Sequence, residues 1–335
     1  MTKLKLGTIG TSWITDSFID AAHMTNLYDL TCVYSRNTEN ATSFAMKYGD
    51  IATETDFDTF IQDENLDVIY IASPNTFHFK QTLAVLNAGK HTIVEKPASI
   101  NIAEWDEMLA VAEANNVFVF EAVRHIHDPN LETIAQEVKD LGDIYGATLA
   151  FAKYSSRYDN VLAGEDPNIF STKFAGGALM DLGIYPIYTA VYLFGEPVNV
   201  QYFPRKIKTG VDGIGTVILQ YDSFDVTILV SKISTSFVGM EFYGENETIL
   251  VDHVTEYEEA KRINAKTYAE EAVVLDNQYE NRMVYEAEVF ANLIYNQDEA
   301  STRAHYKKLS ELARIVSGLL FDLRMKGNIR FDFEK

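Results

Sequence analysis

A lysine in one half of this chain, and an aspartate and a tyrosine in the other, are the side chains best placed for proton chemistry on an alcohol or a carbonyl. Lys96 lies in Glu95-Lys96-Pro97, directly after the apolar run His91-Thr92-Ile93-Val94. In an open parallel α/β sheet, ligands bind at the carboxyl ends of the strands, and a merely solvated lysine is an odd occupant of that place. Pro97 disfavours helical backbone at Lys96 and keeps it extended. Asp181 and Tyr185 stand at i and i+4 in the dense segment Lys173-Phe174-Ala175-Gly176-Gly177-Ala178-Leu179-Met180-Asp181-Leu182-Gly183-Ile184-Tyr185-Pro186. In a helix that spacing puts them on one face, a turn apart. A nearby ammonium lowers the pKa of a phenol and polarises a carbonyl oxygen. Plainer roles stand beside these: Lys96 in a surface ion pair, at a helix terminus or snorkelling, and Tyr185 as core packing in a chain that holds 19 tyrosines.

These side chains need elements to hold them. Up to Phe120 the sequence alternates apolar strands (4–9, 30–34, 68–72, 93–95 and 117–120) with helical stretches (14–25, 37–48, 77–88 and 102–115). Continuous apolar runs such as Val68-Ile69-Tyr70-Ile71-Ala72 suit strands covered on both faces. The alternation predicts a Rossmann-type doubly wound parallel sheet over 1–122. The pattern then changes to helices over 131–141 and 178–194, β-type runs from 198 to about 261, and closing helices near 280–296 and 302–325. That reads as a separate α+β domain over 123–335, built on a large, open, mainly antiparallel sheet. Gly176-Gly177 signals close approach of backbone to a cofactor or to another element.

Gly7-Thr8-Ile9-Gly10-Thr11-Ser12 joins the first strand to the first helix, the context of a dinucleotide-binding turn. Gly10, Thr11, Ser12, Trp13 and Ile14 are the candidate pyrophosphate contacts, with Ser12 standing where a second glycine would bring the backbone closest. A plain strand-to-helix turn explains the segment too. At the end of the second strand, Ser35 and Arg36 occupy the place of the acid that holds the ribose of NAD. A hydroxyl and a guanidinium there suit the 2′-phosphate of NADP. The alternative is that Ser35 caps the next helix and Arg36 is solvated. Ser73, Pro74, Asn75 and His78 end the fourth strand beside the same crevice, where Asn75 or Thr76 also qualifies as a helix cap.

Composition narrows the class. With 49 acidic against 28 basic residues the net charge is −21, which repels nucleic-acid backbones and anionic membrane surfaces. No run approaches the roughly 20 apolar residues of a membrane span. The first residues lead straight into a strand, so a cytoplasmic protein without a signal peptide is expected. Cys32, the single cysteine, reads as a buried strand residue. The histidines lack metal-ligand spacing, so no metal is expected, and no Gly-x-Ser-x-Gly elbow is present.

Gly89-Lys90-His91 leading to Glu95-Lys96-Pro97, the segment Gly176 to Tyr185, Ala72-Ser73-Pro74-Asn75 and Phe120-Glu121-Ala122 together resemble the Gfo/Idh/MocA oxidoreductases over essentially the whole chain. The resemblance implies a nicotinamide cofactor near Glu95, Lys96 and Pro97, often with a cis peptide before that proline. Many members end the second motif in histidine. Tyr185 stands there instead, as in the dimeric dihydrodiol dehydrogenase and glucose–fructose oxidoreductase branches, where a tyrosine is the acid–base residue. The implied reaction is hydride transfer between NADP, or NAD, and a sugar, polyol or diol. Tyr185 handles the proton, Lys96 the oxyanion, and Asp181 orients, which requires ammonium and phenol to meet at one nicotinamide ring. Arg124, His125, Arg157, Tyr158 and Asn168 are the candidate substrate contacts, with ordinary loop roles as the alternative. A homodimer through the exposed sheet face is expected. Two competing readings are a non-catalytic NADP-binding sensor and an NAD-dependent glycosidase.

Overall fold

The strand–helix alternation builds β1 (Leu4–Ile9), α1 (Trp13–Thr25), β2 (Tyr28–Tyr34), α2 (Thr38–Ala45), β3 (Ala52–Glu54), α3 (Phe57–Ile61), β4 (Val68–Ile71), α4 (Asn75–Asn87), β5 (His91–Glu95), α5 (Ile102–Ala114) and β6 (Val119–Ala122). The structure, a computed structural model, describes residues 2–334. Its first sheet has six strands in the order β3-β2-β1-β4-β5-β6, every pair parallel. All four residues of β4 are fully buried, as a strand covered on both faces must be. The strand order reverses between β1 and β4, the switch point at which such sheets open a crevice.

The second sheet follows α6 (Pro129–Asp140). It contains β7 (Ile144–Ala152), then, after α7 (Arg157–Leu162) and α8 (Ile184–Phe194), the strands β8 (Asn199–Lys206), β9 (Asp212–Gln220), β10 (Asp225–Ser231), β11 (Met240–Gly244), β12 (Glu247–Val251), β13 (Ala260–Asn264) and β14 (Glu270–Val273). The order is β14-β13-β12-β11-β7-β10-β9-β8, antiparallel except where β7 meets β10. Val217, Leu219, Val226, Ile228 and Val230 point into the core at alternate positions. The helix expected over 178–194 is not uniform: Leu179–Gly183 forms a π turn before α8 begins at Ile184. The stretch Thr172–Phe194 is long and apolar enough to cross a membrane by length and composition, yet it is 67% buried inside the protein.

After β14 come α9 (Met283–Tyr295) and α10 (Ala300–Lys326). One compact unit runs to Arg124 and resumes over Asn281–Arg314; the other takes His125–Glu280 and the chain from Ile315 onward. The sequence reading assigned everything after 122 to the second domain. Segment 281–314 instead makes its contacts in the first unit, because its apolar positions find partners there. Phe290 stacks on Phe120 at 4.5 Å, Tyr28 donates its hydroxyl to the Ala287 carbonyl at 2.8 Å, and the buried Trp105 indole donates to the Ser310 carbonyl at 3.1 Å.

Gly176-Gly177 serves close approach within the second unit. A Cβ on Gly176 would come within 2.7 Å of the Ile169 backbone. Gly177 has φ +125°, and a Cβ there would fall on the Asp212 carboxylate. Gly177→Ala is therefore expected to destabilise the protein by about 2–4 kcal/mol, read as a lowered urea midpoint with an unchanged m-value.

Candidate active site

In the first unit, the turn after β1 has Gly10 at φ +115°, with no room for a Cβ against the Ala72 carbonyl. Helix α1 begins after Ser12, which makes no side-chain capping bond. No side-chain cap from Ser12 covers its first-turn N–H groups, which suits a pyrophosphate-binding helix. Asp16, the one acid of that turn, is drawn to Lys47 at 2.6 Å and to the Tyr48 hydroxyl at 2.7 Å. Thr11 and Ile14 are half-buried, and the Trp13 ring is 76% exposed. These features fit a dinucleotide.

The loops after β2 and β4 adjoin that turn, and the loop after β5 lies next to the one after β4. Helix α2 is capped by Asn37, not Ser35. Arg36 is exposed, with its guanidinium 5.5 Å from the centre of the Phe77 ring. Helix α4 begins at Asn75 with Pro74 as its cap position, so neither Asn75 nor Thr76 serves as the cap. Ser73 donates its hydroxyl to Gln81 at 2.6 Å. His78 is buried, with Nδ1 2.9 Å from the Pro97 carbonyl and Nε2 2.6 Å from the Ser73 carbonyl. Its ring ties the loop after β4 to the loop after β5. The Lys96–Pro97 peptide is cis.

Beneath half-exposed Lys96, the Glu95 carboxylate is buried and accepts the Tyr70 hydroxyl at 2.6 Å. Burial raises its pKa, against the opposing charges of Lys96 and Arg124 and the Tyr70 bond. Tyr70 in turn stacks on Phe18 of α1 at 4.0 Å. Glu286, on α9, is also fully buried, and burial pushes its carboxyl well above the usual range, helped by the charge of Glu95 and opposed by Arg124. Arg124 thus serves two buried acids of its own unit.

In the second unit, Tyr185 is half-buried, and its ring meets the edges of His125 at 5.2 Å and Phe151 at 5.5 Å. Two flanking rings restrict how the phenol turns. His125 is fully buried; its Nε2 lies 3.1 Å from the Tyr185 carbonyl and 3.2 Å from the Thr189 hydroxyl. Its surroundings are those of a brace for Tyr185. Asp181, 30% exposed, forms an ion pair with Lys232, whose side chain is 2% exposed. Arg157 and Asn168 are exposed. Tyr158 packs on Phe170 at 5.7 Å and, with Val161, Leu162, Arg205, Lys206, Ile207, Lys208 and Ile233, lines a cavity of about 330 Å³.

Lys232, Asp212, Phe151 and Glu286 escaped the sequence reading. Asp212 is buried and accepts the Leu179 N–H and the Tyr202 hydroxyl, each at 2.6 Å. For Lys232 a signal existed, the same one that marked Lys96: a lysine immediately after a buried strand. Glu286 had none, since an acid in a helix reads as solvated until its partners are known.

Comparison with known proteins agrees with this geometry. A model of an oxidoreductase family with an NAD-binding Rossmann fold matches residues 4–123, and one of the GFO/IDH/MocA C-terminal domain matches residues 135–250. The chain is 36% identical to scyllo-inositol 2-dehydrogenase (NADP(+)) IolU of Bacillus subtilis, over 93% of this chain and 95% of that one. It is 31% identical to mouse trans-1,2-dihydrobenzene-1,2-diol dehydrogenase over 63% and 64% of the two chains. The solved structure of KijD10, a 3-ketoreductase from Actinomadura kijaniata in complex with NADP and TDP-benzene, shares the fold with a TM-score of 0.83 at 18% identity, over 97% and 98% of the chains. The dinucleotide turn, the Glu-Lys-Pro loop and these matches over nearly the full length have one conclusion: the chain belongs to the GFO/IDH/MocA family and is an NAD(P)-dependent oxidoreductase acting between hydroxyl and carbonyl.

Proposed function

We propose that the protein oxidises a secondary hydroxyl of a neutral sugar, polyol or diol, or reduces the matching ketone, with NADP preferred over NAD. Support comes above all from Tyr185, a phenol clamped between two rings about one turn after a charged aspartate. Gly10, Thr11, Ser12, Trp13 and Ile14 would hold the pyrophosphate, Ser35 and Arg36 the 2′-phosphate, and Ser73, Pro74, Asn75, Glu95 and Pro97 the nicotinamide ribose side, with His78 fixing two of those loops. Bound NADP supplies the hydride acceptor or donor. In the oxidative direction Tyr185 Oη takes the hydroxyl proton as the carbon gives up hydride, and Lys96 Nζ stabilises the negative charge on oxygen. Asp181 orients the substrate. Arg157, Tyr158 and Asn168 are the proposed outer substrate contacts, with Arg124 and His125 acting through Glu95 and Tyr185.

The NADP preference draws on Arg36, which has no acidic partner among the described residues. A guanidinium is the side chain suited to a phosphate. We further propose a cytoplasmic homodimer formed through the outer face of the second sheet. Phe203, Ile214, Ile218 and Leu229 lie on that face among Gln201, Thr216 and Thr227, apolar side chains that a second copy would cover.

Three outcomes test these assignments. Lys96→Met and Tyr185→Phe should each lower kcat by about a hundredfold to ten-thousandfold on a panel of inositols, sugars and diols, with NADPH affinity held within about threefold. A Tyr185→Phe enzyme at the wild-type rate removes the acid–base role. Arg36→Ala should raise the KM for NADPH about tenfold while leaving that for NADH unchanged, and parallel changes would sink the 2′-phosphate reading. Sedimentation at micromolar concentration should give a dimer, and Ile218→Glu a monomer; a wild-type monomer contradicts the surface assignment.

A further inference from the structure

The turn between β8 and β9 gathers three cations around one cavity of the second unit. The cavity measures about 330 Å³, takes Arg205, Lys206 and Lys208 into its wall, and has no acid among its lining residues. That is unusual company in a chain with 49 acidic against 28 basic residues. The local backbone presents these side chains. The register of β8 against β9 slips between Arg205 and Lys206, a bulge of the kind that re-aims side chains. The turn that follows is tied twice: the Ile207 N–H donates to the Val211 carbonyl at 2.9 Å, and the Gly210 N–H donates to the Ile207 carbonyl at 3.0 Å. Gly210 takes φ +91°, which favours glycine. Lys208 therefore projects from a fixed turn.

The cations keep their charge for something else. Lys206 donates its ammonium to the Asn328 carbonyl, a neutral partner that leaves the charge uncancelled. Arg205 and Lys208 are exposed, and among the described residues neither side chain meets a carboxylate. Below this basic rim the cavity is apolar. Val161 is 2% exposed, and Tyr158, Ile207 and Ile233 pack against the cluster it forms with Phe170 and Val211. A concave apolar floor with a few convergent polar groups is the form of a small-molecule site, and the volume lies at the small end of such sites. The field of a chain at −21 repels anions in general, so a local excess of cations marks where one is admitted.

We propose that this cavity is a second binding site, separate from the reaction centre, for a small phosphate monoester with an apolar body. Such a group carries nearly two negative charges at neutral pH, which three cations match better than they match a single carboxylate. The Arg205 guanidinium offers a planar fork to two phosphate oxygens, and the two lysines act as point charges. The apolar remainder of the ligand covers Tyr158, Ile207 and Ile233. Every residue of the site belongs to the second unit, so its occupation does not depend on the dinucleotide cleft of the first.

The test is calorimetric titration of the full-length protein, saturated with NADPH so that the dinucleotide cleft is filled, with phenyl phosphate and with inorganic phosphate. Phenyl phosphate should bind at one site with a dissociation constant below about 1 mM, and inorganic phosphate about tenfold more weakly for want of the apolar floor. Arg205→Ala and Lys208→Ala, both at exposed positions, should each weaken phenyl phosphate about tenfold. Lys96→Met should bind it as wild type does. Absence of binding, equal affinity for the two phosphates, or unchanged affinity in both cavity variants overturns the inference. Loss of binding in Lys96→Met overturns it as well, because the anion then sits at the reaction centre.

Discussion

A buried carboxylate organises the second unit. Asp212 lies out of water, where an unsatisfied charge would cost several kcal/mol, so it must be met from within. The Leu179 N–H and the Tyr202 hydroxyl meet it at 2.6 Å each. The bond to Leu179 anchors the first residue of the π turn, and the approach leaves no space for a side chain at Gly177. From that anchored start the chain presents Asp181 and then Tyr185, with Lys232 and His125 supporting them from behind. Burial raises the Asp212 pKa, while its hydrogen bonds and the charge of Lys232 oppose the rise.

The first unit repeats the device with other residues. Glu95 is buried under Lys96 and answered by the Tyr70 hydroxyl and the charge of Arg124. Because Tyr70 stacks on Phe18, the strand carrying Glu95 and the helix that begins at the dinucleotide turn share one rigid contact. His78 adds a second tie by holding two loop carbonyls at once. In both units, a half-buried group proposed to take part in the chemistry lies close to a buried, hydrogen-bonded carboxylate. This is how a side chain is held still: its support has its own obligatory partners.

Local signals carried the strands, the doubly wound order and the dinucleotide turn, because strand burial, glycine at positive φ and helix starts depend on near neighbours in the chain. Lys96 was legible for the same reason: a lysine after an apolar strand is a local anomaly. Asp181 and Tyr185 were legible through their spacing. The π turn that carries Asp181 was not; its first residue, Leu179, is held by Asp212, which is distant in sequence. The return of segment 281–314 to the first unit was hidden for a like reason, because the apolar face of α9 does not name the sheet it covers.

What the sequence alone determined is a nicotinamide-binding fold, together with the candidates for its chemistry: an ammonium, a carboxylate and a phenol. Its patterns repeat over a few residues and obey backbone sterics and hydrophobic alternation. Only the tertiary structure decided that Lys232 is buried against Asp181, that His125 and Phe151 clamp Tyr185, and that Glu286 joins Glu95. Burial of charge is a property of the surroundings, and those surroundings are assembled from segments that the chain brings together only when it folds.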